Sequence, residues 1–258
     1  MKRVFIFIYG VVSYLIFFGC FLYLIGFLAN AFVPKSIDSG ATGALLPALL
    51  INLALVVLFG VQHSVMARRC FKRRLARFVP GAAERSTFVL ASSLVLIVTF
   101  WLWRPFPQVV WEVEQAWLRA ALWGLMGVGV FLILLSSFLI NHFELFGLQQ
   151  VYLNLRRKRA APIAFGTPLL YRLVRHPLHL GTTTLLWATP QMTAGHLFFA
   201  AAMTTYILIG IYFEERDLER HFGDAYRAYQ RSTPRLLPLP RPAAHAPDAA
   251  KSPASAGD

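Results

Sequence analysis

Two cysteines among 258 residues leave little scope for sulfur chemistry on the chain itself. Cys20 lies within an uncharged apolar run and Cys70 in a basic segment, so the two differ in depth and redox surroundings. No disulfide is expected, and no C-x-x-C metal or redox pair exists. The two read as a buried small hydrophobe and a loop thiol. An H-E-x-x-H pair, a P-loop and the glycine fingerprint of a dinucleotide fold are also missing, which removes support for zinc hydrolysis, nucleotide hydrolysis and soluble dinucleotide chemistry. Acidic residues are scarce, 12 against 25 lysines and arginines, for a net charge of +13. That charge would suit a polyanion, but no groove-binding module accompanies it, so nucleic acid is not an expected partner. No internal repeat is detectable.

Uninterrupted apolar blocks are abundant. Hydrophobic residues make up 57% of the chain, and the mean hydropathy is +0.56. Residues 4–28 carry no charge, and similar runs occupy 44–65, 87–103 and 120–140. Each approaches or reaches the ~20 residues that span ~30 Å of hydrocarbon. A longer apolar region, 178–212, is broken at 190–195 (PQMTAG). The expected fold is all-α, a polytopic membrane helical bundle of four transmembrane helices plus a C-terminal helical hairpin. The first hairpin limb, of roughly 18 Å, is too short to span. Its helix therefore begins earlier, through Tyr171, or the apex lies within the bilayer. For the first run a cleaved signal peptide is the alternative, but its length exceeds a signal core and no convincing small-x-small site follows. All but Lys35, Arg104 and Arg119 of the basic residues fall in segments on one side of this topology. Both termini are therefore expected in the cytoplasm, with the lipid bilayer as partner. Residues 1–238 form one membrane domain, and 239–258, rich in Pro, Ala and Ser, read as a disordered cytoplasmic tail.

Several polar groups collect where apolar runs meet the basic side. Gln62, His63 and Ser64 close the second run, and Asn141, His142 and Glu144 arrive beside Phe143 and Phe146 after the fourth. Polar residues at such depth are candidates for a small-molecule pocket, with helix-to-helix bonding or a solvated interfacial turn as the alternative. Trp101, Trp103 and Trp111 suit an aromatic belt at the opposite interface. Ser86 suits a helix N-cap, and Gly124, Gly127 and Gly129 permit close helix approach. Residues 171–181 read YRLVRHPLHLG. Arg175 offers a planar cationic fork and His176 a titratable ring, while Pro177 starts a helix and Gly181 allows close approach. Glu214 and Glu215 follow beyond the hairpin, about 100° apart on a helix and so suited to different roles. His176 and His179 are spaced to share a helical face, but the sequence offers the pair no clear third ligand and Pro177 intervenes, so no metal is expected.

Taken together, RHPLHLG (175–181), Glu214-Glu215, FGDAYRAY (222–229) and Thr233-Pro234 resemble the C-terminal half of isoprenylcysteine carboxyl methyltransferases and their bacterial relatives. QHSVMARRCFK (62–72), ERSTFVLASSL (84–94) and NHFELFGLQQVYL (141–153) extend a resemblance to the family's bacterial thiol methyltransferases over nearly the full length. The resemblance implies methyl transfer from S-adenosylmethionine to a small thiol, methanethiol, giving dimethyl sulfide. It implies cofactor contacts at Ile163, Ala164, Phe165, Gly166, Tyr171, His176, Pro177, Leu178, His179 and Glu214. The family often has Tyr where this chain has His179. The prenylcysteine enzymes hold a carboxylated substrate with an Arg one turn before the carboxylates. Here Ile209, Gly210 and Ile211 occupy that neighbourhood, which favours a small neutral or thiolate acceptor. A thiol must be ionised to attack, so His142 or His63 is expected as base and Arg175 as cofactor anchor or source of positive field. Asn141, Glu144, Gln62 and Ser64 are the expected substrate-pocket residues, and no obligate protein partner is evident. Two alternatives stay open. One is another thiol or a lipid-linked acceptor; the other is a non-enzymatic membrane binding or transport protein of the kind associated with nitrogen-oxide metabolism. The paired carboxylates with the FG-x-x-Y-x-x-Y tail favour the enzyme.

Overall fold

Inside a bilayer a backbone can satisfy its own N–H and C=O groups only as a helix or a closed barrel, and the chain takes the first route. A computed structural model describes residues 1–159 and 166–238. Helices α1 (Lys2–Ala29) and α2 (Leu45–Ala67) are followed by a short basic helix, α3 (Arg69–Leu75). A 3-10 turn at Gly81–Ala83 leads into α4 (Glu84–Leu102), then come a strand, β1 (Val109–Glu112), and α5 (Ala116–Ile140). Short helices α6 (His142–Leu145), α7 (Leu148–Arg156) and α8 (Leu170–Leu173) precede α9 (Pro177–Trp187), strand β2 (Gln191–Thr193), α10 (Ala194–Phe222) and α11 (Asp224–Ser232). Among the described residues, five helices are long and apolar enough to cross a membrane: α1, α2, α4 with its leading turn, α5 and α10. Their outward faces expose Phe5, Leu15, Leu53, Phe131 and Ile209, as a lipid solvent permits.

The buried core sits toward the end of the bundle away from α3. Phe27, Phe100, Trp103 and Phe199 interlock there, with ring centroids 5.1 Å apart for Phe27–Phe100 and 5.3 Å for Trp103–Phe199. Trp103 is therefore fully buried, with its indole nitrogen unpartnered, and does not join an interfacial belt, whereas Trp101 is exposed. The side chain of Asn52 closes the same end by bonding both the N–H and the carbonyl of Arg104, at 2.9 and 2.7 Å.

The expected all-α bundle of four spans and a hairpin needs amendment on two points. First, the hairpin's first limb begins at Pro177, with Tyr171 on the separate helix α8. Its 11 residues rise ~16 Å. The chain then continues extended, and Trp187 Nε1 donates to Thr204 Oγ1 at 2.9 Å to hold the limb on α10. Second, β2 pairs antiparallel with β1 in a two-stranded ribbon, Val109 opposite Thr193 and Glu112 opposite Gln191. The ribbon satisfies backbone groups in residues that Pro105, Pro107 and Pro190 keep from being helical. Ser86 is not a cap either: α4 starts at Glu84, and the buried Ser86 hydroxyl donates to the Gly147 carbonyl at 3.4 Å.

Helix α9 lies directly on α5 through two glycines. A Cβ on Gly129 would stand 2.8 Å from the Leu185 nitrogen and 2.9 Å from the Gly181 carbonyl oxygen, and one on Gly181 would stand 2.7 Å from the Gly129 oxygen. Gly124 and Gly127 meet nothing within 4 Å and have no part in this approach. Gly129→Val is therefore expected to destabilise the fold by about 1–3 kcal/mol through overpacking. Thermal melts in detergent should show a clear drop for Gly129→Val and none for Gly127→Ala; equal melts would contradict the contact.

Candidate functional site

The residue before a proline is kept out of helix, and His176 (φ −126°, ψ 64°) is the turn from which Pro177 starts α9. This turn meets the far end of α10 and the strap that follows α11. The backbone N–H groups of Arg175 and His176 donate to the carbonyls of Pro234 and Arg235, at 2.9 and 3.1 Å. Glu215, with a 5% exposed side chain, receives Arg175 through Nε at 2.8 Å and Nη2 at 2.7 Å, His176 Nε2 at 3.2 Å and Arg235 Nη2 at 3.0 Å. Arg175 Nη1 is taken by the carbonyls of Thr233 and Gln230, at 2.6 and 3.0 Å. The guanidinium expected to anchor a cofactor is thus committed to the protein.

The neighbouring Glu214 turns the other way. Its Oε2 lies 3.5 Å from His176 Nδ1, and its side chain is about half exposed. The His179 ring, one turn into α9, stands 5.5 Å from that of His176, edge to face. One ligating atom from each of His176, His179 and Glu214 lies within 4.8 Å of the others, so the fold brings the histidine pair a third ligand that the linear sequence did not offer. Tyr171 closes this side, its hydroxyl toward the Ser136 carbonyl at 3.5 Å and its own carbonyl accepting from the Tyr229 hydroxyl. Burial, then the Glu214 charge, pushes the Tyr171 phenol up, and burial pushes Tyr229 up to about 12, so both remain donors at neutral pH. Burial also pulls His176 below the ordinary imidazole range, against the opposing hydrogen bond to Glu215.

His63 faces the same region from α2. Its Nδ1 lies 3.2 Å from Ser92 Oγ, and it is caged by Phe88, Phe59 and Tyr206, with ring centroids at 4.7, 5.4 and 6.3 Å. It is within electrostatic reach of His179. Ser64 Oγ meets the Tyr206 hydroxyl at 3.4 Å. Gln62 Nε2 bonds Met66 Sδ at 3.0 Å, leaving Gln62 Oε1 buried without a partner. Tyr206, which sequence reasoning passed over, stands two turns before Glu214 on α10; that spacing was its only signal.

His142 belongs to a different cluster. Ser137 Oγ at 2.9 Å and Tyr14 Oη at 2.8 Å occupy both ring nitrogens, and Phe138 stacks on it at 4.3 Å. Burial lowers its pKa and keeps the ring neutral. Among the described residues, no hydrogen bond or ring contact joins it to His176, His179 or Glu214. Asn141, in the left-handed region (φ 94°), caps α6 by accepting from Glu144 N–H at 3.2 Å and also donates to Glu144 Oε2 at 3.1 Å. Asn141 and Glu144 line a cavity of about 470 Å³ with Lys72, Glu84 and Arg85, on the α4 side of the bundle. The expected pocket residues therefore divide, Gln62, His63 and Ser64 on one side and Asn141, His142 and Glu144 on the other. Of the expected cofactor contacts, Ile163, Ala164 and Phe165 lie outside the described residues, Gly166 is exposed, Pro177 is buried and Leu178 is half-buried.

Residues 50–236 match the family model described as NnrU protein. A methanethiol S-methyltransferase of Mycobacterium tuberculosis is 51% identical over 93% of this chain and 98% of its own length. The chain belongs to this family. Methanethiol S-methyltransferases 1 and 2 of Bradyrhizobium diazoefficiens are 52% and 50% identical, over 91% and 92% of this chain and 82% and 91% of their own. No solved structure matches. The family resemblance carried by RHPLHLG, the paired glutamates and the 62–72 and 141–153 segments thus extends to whole-chain relatives.

Within this site the two glutamates should separate cleanly by role. Removing one partner of a buried ion pair costs about 3–5 kcal/mol. Glu215→Gln is expected to lose most of that, because Arg175 and His176 are buried with it, whereas the half-exposed Glu214→Gln should melt close to the unsubstituted protein. Differential scanning of both in detergent checks this, and a reversed order would overturn the assignment.

Proposed function

We propose that this protein transfers a methyl group from S-adenosylmethionine to a small thiol, methanethiol, giving dimethyl sulfide at the cytoplasmic face of a bacterial inner membrane. The observation that carries the reading is the cluster His176, His179 and Glu214, which looks across to the His63–Tyr206 cage, with no Arg or Lys on α10 between Tyr206 and Glu214. On that stretch Ile209 turns outward, Ile211 is buried in the core, and nothing approaches within 4 Å of a Cβ on Gly210. A carboxylated acceptor would lack its partner, while a small apolar thiol needs none.

The site also suits the methyl donor. Thr183 Oγ1, one turn beyond His179, and Gln62 Oε1 are buried without partners, and such groups are costly unless a ligand satisfies them. When bound, S-adenosylmethionine supplies an electrophilic methyl on a positively charged sulfur. Gly166, Tyr171, Pro177 and Leu178 would form the wall that orients it. The carboxylate of Glu214 would balance its positive charge, and His176 and His179 would stand at the reacting end. His63, with Nδ1 toward Ser92, keeps Nε2 for the cage and would take the thiol proton, since the thiolate is the competent nucleophile. Phe59, Phe88 and Tyr206 would exclude water around it. His142 would instead hold α6 on α1 and α5. The Arg68 guanidinium lies over the Phe213 ring at 4.6 Å, so the site and basic α3 share one side, which supports cytoplasmic termini.

Membranes carrying the protein, given S-adenosylmethionine and methanethiol, should form dimethyl sulfide. His63→Ala should lower turnover by about 10²–10⁴ with donor binding retained. His142→Asn should lower the melting temperature and leave the pH profile of turnover unchanged. Donor binding without dimethyl sulfide would move the acceptor elsewhere, and an altered pH profile in His142→Asn alone would restore that residue as base.

A further inference from the structure

We propose that the cavity beside α4 holds the headgroup of a phospholipid bearing a primary ammonium, phosphatidylethanolamine, with the phosphate on Arg85 and Lys72 and the ammonium between Glu84 and Glu144. The cavity shares no lining residue with the His176–His179–Glu214 cluster or the His63 cage, so the inference goes beyond the methyl-transfer reading and does not depend on it.

Its volume, about 470 Å³, falls in the range of roughly 300–1,000 Å³ usual for small-molecule sites. The surrounding helices set its depth. Helix α4 enters its apolar span at Glu84 and α5 leaves its own at Ile140, so the cavity lies at the bilayer boundary on the side of basic α3. Ile140 lines it and is 44% exposed, which offers acyl chains an apolar surface leading toward the hydrocarbon. Two cations and two carboxylates line the cavity, Lys72 and Arg85 with Glu84 and Glu144, so it suits a ligand that carries both signs and no net charge. Arg85 is held by donation from Nε to the Leu145 carbonyl at 2.7 Å and lies over the Phe88 ring at 5.3 Å. Among the described residues its two terminal nitrogens make no hydrogen bond, and a planar fork with unused N–H groups suits a phosphate. Lys72, paired with Glu84 at 3.1 Å and partly exposed, adds a second cation.

The rest of the lining accepts hydrogen bonds. Glu144 is met by Asn141 at one oxygen, Oε2 at 3.1 Å, and among the described residues Oε1 receives no hydrogen bond. Gln150 donates from Nε2 to the Glu144 carbonyl at 3.0 Å, while its Oε1 is buried without a partner, which is costly unless a ligand brings a donor. A primary ammonium brings three N–H donors to these oxygens. A quaternary ammonium brings none and is recognised by aromatic cages, and among the described residues no aromatic side chain lines the cavity. A lipid with no ammonium would leave both carboxylates and the amide oxygen unanswered. These contrasts select ethanolamine over choline and glycerol headgroups. Once bound, the headgroup joins Lys72 on α3, Arg85 on α4 and Glu144 on α6.

The test uses the full-length protein in detergent, stripped of lipid and offered phosphatidylethanolamine, phosphatidylcholine or phosphatidylglycerol with identical acyl chains, read by native mass spectrometry and thermal melts. One phosphatidylethanolamine per chain is expected to stay bound, about tenfold or more tighter than the other two, as one hydrogen bond between charged groups provides, with a matching rise in melting temperature. Glu84→Gln combined with Glu144→Gln should abolish the preference for phosphatidylethanolamine over phosphatidylcholine. Arg85→Gln should instead weaken both by on the order of tenfold and keep their ratio, which stays readable in a variant of lower stability. Equal retention of the three lipids, or a preference for phosphatidylglycerol, would overturn the assignment. Free phosphoethanolamine bound as tightly as the lipid would overturn it too, in favour of a soluble phosphate ester. None of these readouts involves methyl transfer, so the two readings fail separately.

Discussion

The buried carboxylate of Glu215 is the point on which the rest of the site depends. It sits toward the C-terminal end of α10, and by receiving Arg175, His176 and Arg235 together it fastens the start of α9, the end of α10 and the strap after α11 to one another. A desolvated carboxylate is costly alone, so the three donors and the carboxylate stabilise each other as a set. The same clamp takes one nitrogen of His176 and leaves the other, Nδ1, toward the half-exposed Glu214 carboxylate at 3.5 Å. Two adjacent glutamates thereby divide into one that builds the site and one that faces it.

A second constraint works from α5. The reciprocal contact of Gly129 and Gly181 lets α9 lie against α5 at backbone distance, which fixes where His176 and His179 sit along the bundle instead of letting the short limb drift. Because α9 is only 11 residues long, the return to the far side relies on extended chain and the β1–β2 ribbon. The site is therefore suspended between a polar clamp at one end and a close-packed glycine pair in the middle.

Much of this was legible in the sequence. The spans at 4–28, 44–65, 87–103 and 120–140 follow from charge-free length, and the RHP turn and the glutamate pair stand out because ionisable groups at the edge of apolar runs are rare. What the sequence concealed is direction. Arg175 looked free because its partners, Glu215 and the Thr233 and Gln230 carbonyls, lie 40 to 58 residues away and meet it only through the fold. His142 looked like a base because Tyr14, 128 residues earlier, could not be known to occupy its Nε2. The ribbon was hidden because VVWE and QMT are too short for a periodic signal. Three glycines on α5 looked equivalent, and only the position of α9 singles out Gly129.

Division of labour between the two sides of the site is the central claim: a donor along the Tyr171–Leu178 wall, and a small sulfur acceptor between the His176–His179–Glu214 cluster and the His63 cage. The most direct measurement is isotope tracing with purified protein, S-adenosylmethionine bearing a CD₃ group and unlabelled methanethiol, read by mass spectrometry of the volatile product. The account predicts CD₃–S–CH₃ as the product, formed in step with loss of the donor. Labelled methyl recovered in lipid or protein with no labelled dimethyl sulfide would contradict it.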